Sequence, residues 1–418
     1  MTAKQVSEFK ETEIGKIPVD WEVKKLGDVF ELSQGLQISS KKRISENKEG
    51  YLPLLKIRDL LTNKFSEFVS LDDVPLVYIA SKEDIIYTRT GQVGLVYTNV
   101  EGCVHNNCFK IHYGDFDKMF VYYTLNQRRV FEYANAVAGG SVQKDLTHPA
   151  FKSCLITYPK NKQEQIRIGI FISNLDSKIQ NLQNQNDTLE QMTQEIFQSW
   201  FVDFDGVTEW DDSELGKIPK KWRVTKLGEH TTIKGRIGWK GLTQSEYADI
   251  GYHLVTGRQI VNETVDWESC PRVSEERYLE SPEIMLKKND ILMSKDGTIG
   301  RLSFIHELFF QASVGTGIFV IRSNSDYIDQ YFLLAFFKSN IFKEIVKSRT
   351  EGSVIPHLYQ RDIKDFNLAL APKPLIQKFS KIYERITQLQ FSNSSQIEKL
   401  TKTRDALLPK LMSGEIRV

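Results

Sequence analysis

The sequence has few of the features that mark a secreted or membrane-embedded protein. It holds four cysteines in 418 residues, and none of them forms the C-x-x-C spacing of a metal or redox motif. No apolar stretch reaches the ~18 residues of a membrane-spanning helix, and the N-terminal residues contain no apolar run of a secretory signal. These absences predict reduced core cysteines and a cytoplasmic protein without membrane partners.

An excess of charge of one sign is also missing. Lys and Arg number 55 against 54 Asp and Glu, which gives a net charge of +1. The totals therefore do not indicate a strongly basic nucleic-acid-binding protein, and any DNA contact must depend on local basic residues. The composition, with 40% hydrophobic and 26% charged residues, is typical of a globular protein. The length predicts two or three domains.

Motifs of several enzyme classes are absent. No Pro-Pro pair occurs, which excludes the Pro-Pro-Tyr or Pro-Pro-Phe motif of adenine methyltransferases, and neither Gly-Lys pair precedes Ser or Thr as in a P-loop. Cys103, His105 and Cys108 offer three zinc ligands, but a fourth ligand is not evident, and core cysteines are the preferred interpretation. We therefore expect a non-catalytic chain that holds neither metal nor cofactor.

The chain does contain an internal repeat. The pattern Gly-Lys-Ile-Pro-x-x-Trp-x-Val-x-x-Leu-Gly occupies residues 15–27 and returns at residues 216–228, 201 residues later. Residues 84–94 match 290–300 in the same order, whereas the segments between these anchors share little. One scaffold with two different variable segments is what recognition of two different targets requires. A duplicated fold that has merely drifted is the alternative.

Each copy predicts a mixed α/β domain. Short apolar runs bounded by Gly, Asn and Pro predict strands. These runs are Leu52–Ile57, Ile85–Tyr87, Gly94–Thr98 and Cys154–Tyr158 in the first copy, and Ile291–Ser294, Leu302–Ile305 and Gly317–Ile321 in the second. Helices are expected near Phe120–Asn126 and Tyr327–Ser339. The predicted domains are 1–160 and 206–372, followed by helical regions 161–205 and 373–418.

A long segment follows each copy, at 163–201 and 375–408, without interior Pro and with a single Gly near the start of the first. Apolar residues recur there at alternating spacings of four and three, which is typical of a coiled coil. The seam residues are Ile172, Leu175, Ile179, Leu182, Asn186, Leu189 and Ile196 in the first segment, and Ile382, Ile386, Leu389, Asn393, Ile397, Leu400 and Leu407 in the second. A pseudo-twofold relation between the copies predicts antiparallel helices in which Asn186 faces Asn393. An ordinary helical hairpin is the alternative.

With these motifs, essentially the whole chain resembles the specificity subunits of type I restriction-modification systems. The twin Gly-Lys-Ile-Pro openings, Ser199-Trp-Phe-Val-Asp-Phe204 and Leu407-Leu-Pro-Lys-Leu-Met-Ser-Gly-Glu-Ile416 provide the resemblance. It implies two target-recognition domains, separated by paired antiparallel helices, that each bind half of a split site in double-stranded DNA. It also implies that two methylation subunits and the restriction subunits are partners, and that S-adenosylmethionine, ATP and Mg belong to them. A structural adaptor with two protein-binding domains on a coiled-coil spacer is the alternative.

Candidate DNA contacts are basic residues in the variable segments, because Arg and Lys bind phosphates and base edges. They are Lys41, Lys42, Arg43, Lys56, Arg58, Arg89 and Lys144 in the first copy, and Lys234, Arg236, Lys240, Arg258, Lys295 and His357 in the second. Arg89 and Lys295 are preferred, since they occupy equivalent positions before a Gly-rich turn.

Large apolar residues at the helix ends are candidate contacts for a methylation subunit. They are Trp200, Phe201, Phe204, Leu407 and Leu408. Packing of these residues on the chain's own recognition domains is the alternative.

Overall fold

The computed structural model describes residues 4–5, 8–140, 142–236, 242–350 and 357–418. Two compact units form: unit 1 comprises Met1–Asn181 and Ile397–Val418, and unit 2 comprises Leu182–Gln396. Each unit holds one copy of the repeat and part of each long helix. The mixed α/β fold class is confirmed, and the predicted domain boundaries stay a prediction. In the part of the chain that the structure describes, no helix is long and apolar enough to cross a bilayer.

Unit 1 contains short strands and helices around a central core. Its strands are β1 Lys4–Gln5, β2 Phe9–Thr12, β3 Gly15–Pro18, β4 Trp21–Lys25, β5 Glu31–Gln34, β6 Arg43–Ile44, β7 Tyr51–Leu55, β8 Phe68–Ser70, β9 Ile79–Ala80, β10 Ile85–Thr88, β11 Val96–Thr98, β12 Gly102–Val104, β13 Cys108–His112 and β14 Leu155–Pro159. Its short helices are α1 Leu26–Val29, α2 Ile57–Thr62, α3 Lys118–Leu125, α4 Arg128–Val137 and α5 His148–Lys152.

Unit 2 repeats this arrangement, joined to unit 1 in sequence by the long helix α6 Lys162–Phe201. Its strands are β15 Trp210–Ser213, β16 Gly216–Pro219, β17 Arg223–Lys226, β18 Thr231–Gly235, β19 Tyr252–Val255, β20 Ile260–Val261, β21 Thr264–Val265, β22 Arg272–Val273, β23 Ile291–Ser294, β24 Leu302–Phe304, β25 Ala312–Val314, β26 Ile318–Ser323 and β27 Asn367–Leu370. Its helices are α7 Glu275–Leu279, α8 Gln330–Lys338, α9 Asn340–Thr350 and α10 Gln360–Lys364, and then come α11 Lys373–Met412 and strand β28 Ile416–Arg417 of unit 1.

In the described residues, the two copies share one sheet and the parallel pair of a second, although the second sheet has five strands in unit 1 and three in unit 2. An antiparallel four-stranded sheet has the order β11-β10-β13-β5 in unit 1 and β24-β23-β26-β18 in unit 2. A second sheet contains one parallel pair, β7 with β12 in unit 1 and β19 with β25 in unit 2. The internal repeat is therefore confirmed by a four-stranded sheet and a parallel strand pair that both units form.

The repeated opening motif supplies core residues to both units. Ile17, Trp21 and Leu26 are fully or almost fully buried in unit 1, where β4 pairs with β14. In unit 2, Ile218 and Leu227 are buried, and β17 pairs with β27. Burial of large apolar side chains is the main favourable term in folding, so the motif recurs because each core needs it.

The repeated Gly-x-x-Gly sequence forms the turn after β10 and β23. Gly91 and Gly94 have φ angles of 81° and 100°, and Gly297 and Gly300 have φ angles of 69° and 81°. Residues with a Cβ atom rarely adopt this left-handed region, so glycine is required on both sides of the turn.

The long helices contact each other within each unit in the antiparallel sense. In unit 2, Asn393 Nδ2 donates to Asn186 Oδ1 at 2.9 Å, which confirms the predicted asparagine contact. Glu190 of the same unit contacts Gln390, so residue numbers fall along α11 as they rise along α6, and in unit 1 Arg404 of α11 contacts Asp176 of α6. Asn393 is buried and Asn186 is partly buried, and an asparagine pair inside a coiled coil favours one register at some cost in stability.

One residue that was predicted to lie in the seam faces solvent instead. Leu389 is 50% exposed, and its neighbour Gln390 makes the contact across the helices, with Nε2 donating to Asn186 O at 3.2 Å. The strict 4-3 spacing places Leu389 in the seam, but a straight helix with 3.6 residues per turn drifts from that repeat. Seam residues Ile172, Ile179 and Leu182 are buried as expected.

Helix α11 continues past Pro409, although the sequence predicts its end at Leu408. Proline removes one backbone hydrogen bond inside a helix. Leu411 and Met412 are completely buried in the core of unit 1, and their burial favours the last turn despite that loss.

Candidate nucleic-acid interface

In unit 1, several strands end at one edge of the sheets. Strands β7 and β12 are parallel, with Leu55 beside Val104, so their carboxyl ends lie together. Strand β10 ends there too, because Thr88 pairs with Cys108 at the start of β13. Loops beyond the carboxyl ends of parallel strands are frequent binding sites. The segments 35–43, 56–58, 89–94, 105–107 and 142–146 at these ends are called the unit 1 loop edge.

Backbone hydrogen bonds hold these loops together. Arg89 N donates to Asn107 O at 2.9 Å, Leu36 N donates to Val104 O at 2.7 Å, and Gly91 N donates to Lys144 O at 2.8 Å. Four segments that are distant in sequence are thereby joined into one surface.

The side chain of Arg89 is used inside the unit 1 loop edge. Its Nη2 atom donates to Asp145 Oδ2 at 2.8 Å, its Nε atom donates to Leu146 O at 3.2 Å, and its guanidinium lies 5.3 Å from the centre of the Phe109 ring. Only 13% of the side chain is exposed. Arg89 therefore holds two loops together, and few of its donors face solvent.

Three further predicted residues of unit 1 form ion pairs. Lys42 Nζ lies 2.7 Å from Asp73 Oδ1, while Arg43 and Lys56 lie 3.0 and 3.1 Å from the carboxylate of Glu67. The side chains of Lys41, Arg58 and Lys144 are exposed, and that of Lys42 is 58% exposed despite its ion pair. Lys144 Nζ donates to the side chain of Asn135 at 3.0 Å.

His105 lies within this basic part of the loop edge. Its burial, together with the positive charges of Arg43 and Lys56, lowers the pKa of its imidazole below the ordinary value. His105 is therefore uncharged near neutral pH, and the positive charge at this edge comes from Lys and Arg.

Unit 2 has an equivalent set of loops. Strands β19 and β25 end at Val255 and Val314, and Gly315 N donates to Val255 O at 2.9 Å. Lys295 N donates to Gly317 O at 2.9 Å, in the same way as Arg89 N donates to Asn107 O. The segments 234–236, 256–258, 295–301, 315–317 and 357–358 are called the unit 2 loop edge.

Two predicted residues of the unit 2 loop edge contact the same carboxylate. Lys295 Nζ lies 3.3 Å from Asp296 Oδ2 with 15% of its side chain exposed, and His357 Nδ1 contacts Asp296 Oδ1. Lys295, like Arg89, therefore has an acidic neighbour and an aromatic ring beneath it, here Phe319 at 5.7 Å.

The other predicted residues of unit 2 differ in exposure. The Arg236 side chain is completely buried, and its Nε atom donates to Val314 O at 3.3 Å. Burial lowers the pKa of this guanidinium, which cannot reach a phosphate without a rearrangement of the loop. Lys234 and Arg258 are exposed. Lys240 lies outside the described residues.

Sequence comparison of the copies missed one equivalence. Arg58 and Arg258 each follow the last residue of the parallel strand, Leu55 or Val255, by three positions, and both side chains are exposed. The pattern Leu-x-x-x-Arg occurs at 54–58 and again at 254–258, and it indicates this equivalence. The longer repeated motifs recur at larger separations in sequence and do not align these two arginines. Arg301 was also missed. It is exposed, and its Nη1 atom donates to Gly257 O at 3.4 Å beside Arg258.

The large apolar residues at the ends of the long helices pack on their own units. Phe201 is buried in the core of unit 2 together with Phe379, and the Phe204 ring lies 5.1 Å from that of Trp222. Trp200 packs on the same core, whereas Leu407 and Leu408 pack on the core of unit 1. Packing within the chain accounts for most of their apolar surface.

The two cysteines of the considered zinc site are buried strand residues. Burial raises the pKa of the Cys103 thiol to about 11 and that of Cys108 to about 12. Zinc binds the thiolate, so this environment disfavours metal binding. In the described ranges, no three His, Cys, Asp or Glu side chains are arranged to hold a metal ion.

The family model described as type I restriction modification DNA specificity domain matches residues 18–191 and 219–403, one match in each copy. The chain belongs to this family. It is 30% identical to the type I restriction enzyme MjaIX specificity subunit of Methanocaldococcus jannaschii over 99% of this chain and 97% of that protein. The MjaVIII specificity subunit of the same organism is 24% identical over 98% and 96%.

A solved structure has the same fold. The crystal structure of the S subunit of a type I restriction-modification system from M. genitalium matches with a TM-score of 0.64 and 19% identity, over 94% of this chain and 96% of that one. Membership of the specificity-subunit family supports a non-catalytic role for this chain.

Proposed function

We propose that the chain recognises a split site in double-stranded DNA, with the unit 1 loop edge on one half and the unit 2 loop edge on the other. The observation that supports this most strongly is the duplication of the loop edge itself, with exposed Arg58 and Arg258 at equivalent positions. The family provides the ligand class, and the loops provide side chains suited to phosphates and base edges.

The roles within each loop edge divide by exposure. Exposed basic residues can lose their hydration to a phosphate at little cost, whereas a buried, paired guanidinium would have to break existing bonds first. We assign DNA contact to the exposed residues Lys41, Lys42, Arg58 and Lys144 in unit 1 and Lys234, Arg258 and Arg301 in unit 2. The side chain of Arg89 holds neighbouring loops in place, and Lys295 does so through its backbone hydrogen bonds with Gly317 and Leu358.

The coiled coil provides the spacing between the two half-sites. A seam of ~35 residues extends ~50 Å, and one turn of B-DNA extends ~34 Å. The partly buried Asn186–Asn393 contact favours one register, and a single register would give a single gap length.

The catalytic steps belong to other subunits. Two methylation subunits bind along the long helices, and restriction subunits join that complex in the cytoplasm. S-adenosylmethionine, ATP and Mg are bound by those partners, and this chain binds no cofactor. The absence of methyltransferase and P-loop motifs from the sequence supports this division.

Methylome sequencing of cells that carry the chain with its methylation subunits tests the proposal. We expect a methylated motif of two short specified parts separated by an unspecified gap, which disappears when this chain alone is deleted. An unchanged methylome after deletion would contradict the proposal and favour the structural adaptor. DNA binding by the purified complex provides a second test, since its log affinity should fall linearly with log salt.

A further inference from the structure

Lys338 lies at a junction of three elements of unit 2. It is the last residue of α8, whose residues Phe332–Phe337 are all buried in the core, so its backbone is firmly attached to the recognition domain. Its Nζ atom lies 2.8 Å from Glu190 Oε2 on α6 and 2.6 Å from Glu263 Oε2 at the tip of hairpin β20–β21. Only 10% of the Lys338 side chain is exposed.

Through Glu190, Lys338 is connected to both long helices. Gln390 of α11 donates from Nε2 to the same Glu190 oxygen at 3.4 Å, and Tyr383 of α11 is fully buried beside Lys338. Burial alone would lower the pKa of Lys338, but its interactions with Tyr383, Glu190 and Glu263 raise it overall. The ammonium group is therefore charged at neutral pH, and the ion pairs persist.

Glu263 occupies a position that its residue type disfavours. Asn262 and Glu263 form the two-residue turn between β20 and β21, with φ angles of 48° and 62°. Turns of this kind prefer Asn followed by Gly, because a Cβ atom is unfavourable at positive φ. A glutamate at the second position provides a carboxylate where glycine would provide the better turn.

The hairpin follows the Arg258 loop directly. Gln259, which links them, accepts from Thr256 Oγ1 at 2.7 Å through Oε1 and donates to Ser269 O at 3.2 Å through Nε2. A displacement of the hairpin would therefore be transmitted to Arg258, one residue before Gln259.

Unit 1 lacks this contact. Asp117 and Asp329 are the N-cap residues of α3 and α8. When these two caps are aligned, the counterpart of Lys338 in unit 1 is Asn126. The Asn126 side chain donates to Tyr122 O at 3.0 Å within its own helix. The junction at Lys338 is a feature of the second copy alone.

We infer that Lys338 is a positioning residue for DNA recognition by unit 2, holding hairpin β20–β21 and the adjoining Arg258 loop in a fixed place on the long helices. The inference rests on the proposed function. Neither Lys338 nor Glu263 contacts DNA itself in this role.

The test uses the full chain in complex with its methylation subunits and a panel of duplexes with single-base changes in either half-site. Footprints of Arg258→Ala first identify the half-site bound by unit 2. Glu263→Gly keeps the turn and removes the carboxylate, and Lys338→Met removes the charge. For duplexes altered in the unit 2 half-site, we expect the ratio of their methylation rate to that of the cognate duplex to be about fivefold higher in both variants than in the unmodified complex. This is a typical size for a change in coupling. Discrimination in the unit 1 half-site should not change.

Two controls separate positioning from general stability. Lys338→Arg retains the ion pairs and should restore discrimination, and Glu398→Gln, which breaks an exposed ion pair with Lys402 on α11, should leave both half-sites unaffected. Unaltered discrimination in Glu263→Gly and Lys338→Met, or an equal loss in both half-sites, would overturn the inference. An unmodified complex without sequence-specific methylation would contradict the proposed function as well.

Discussion

Helix α3 of unit 1 and helix α8 of unit 2 hold the same place in the two copies, yet different polar side chains join them to the long helices. In unit 1, Tyr123 Oη donates to Asp176 at 2.6 Å, and Arg404 donates to the same carboxylate at 2.8 Å. In unit 2, Lys338 contacts Glu190 from the end of α8. The strand order of the four-stranded sheet is the same in both units, whereas the polar contacts between elements have diverged.

The largest difference between the two units in the free energy of unfolding should come from substitution of the tryptophan in the repeated opening motif. Trp21 is completely buried, whereas Trp222 is only partly buried. Trp21→Ala should lower the free energy of unfolding by about 4 kcal/mol and Trp222→Ala by about half as much, since the cost rises with the apolar surface and cavity involved. Thermal unfolding of both variants measures this, and equal losses would show that the two cores depend on the motif alike.

The asparagine contact of the long helices offers a sharper comparison. Asn186→Leu leaves the amide of Asn393 without its partner and should cost about 2 kcal/mol, whereas Asn186→Leu with Asn393→Leu should be close to neutral. Denaturant unfolding gives both values. A double variant as unstable as the single one would mean that the amides contribute net stability.

The polar contact of unit 1 should have a smaller effect. Tyr123→Phe removes the hydroxyl that donates to Asp176 and keeps the ring, so we expect a loss of about 1 kcal/mol. Tyr122→Phe, on the same helix, is the matched control. If the two variants unfold at the same temperature, the Tyr123 hydroxyl has no net stabilising role.

A pH dependence to which His306 of unit 2 contributes provides a further comparison. His306 stacks on Phe391, and burial together with Lys338 and Lys288 lowers its pKa to about 4. The unfolded chain then binds a proton that the folded chain does not, so stability should fall as pH decreases from about 6.5 toward 4. His306→Phe should reduce this slope in pH-dependent unfolding, and an unchanged slope would assign the dependence to other histidines.

The sequence predicted what depends on local pattern. Strand Ile291–Ser294 was predicted with its exact bounds, and both long helices and the asparagine contact follow from 3.5-residue periodicity. Local pattern does not reveal which distant partner a charged side chain meets. Arg89 pairs with Asp145, 56 positions away, and Arg236 is buried against Val314. The solvent exposure of these two side chains could therefore not be predicted from the residues next to them in sequence.

Hydroxyl-radical footprinting of the complex on its cognate duplex tests most directly the claim that each unit binds one half-site. Arg58→Ala should lose protection in one half and Arg258→Ala in the other, because each arginine extends from the loop edge of a different unit. Loss of protection in the same half by both variants, or in neither half by either variant, would contradict the account.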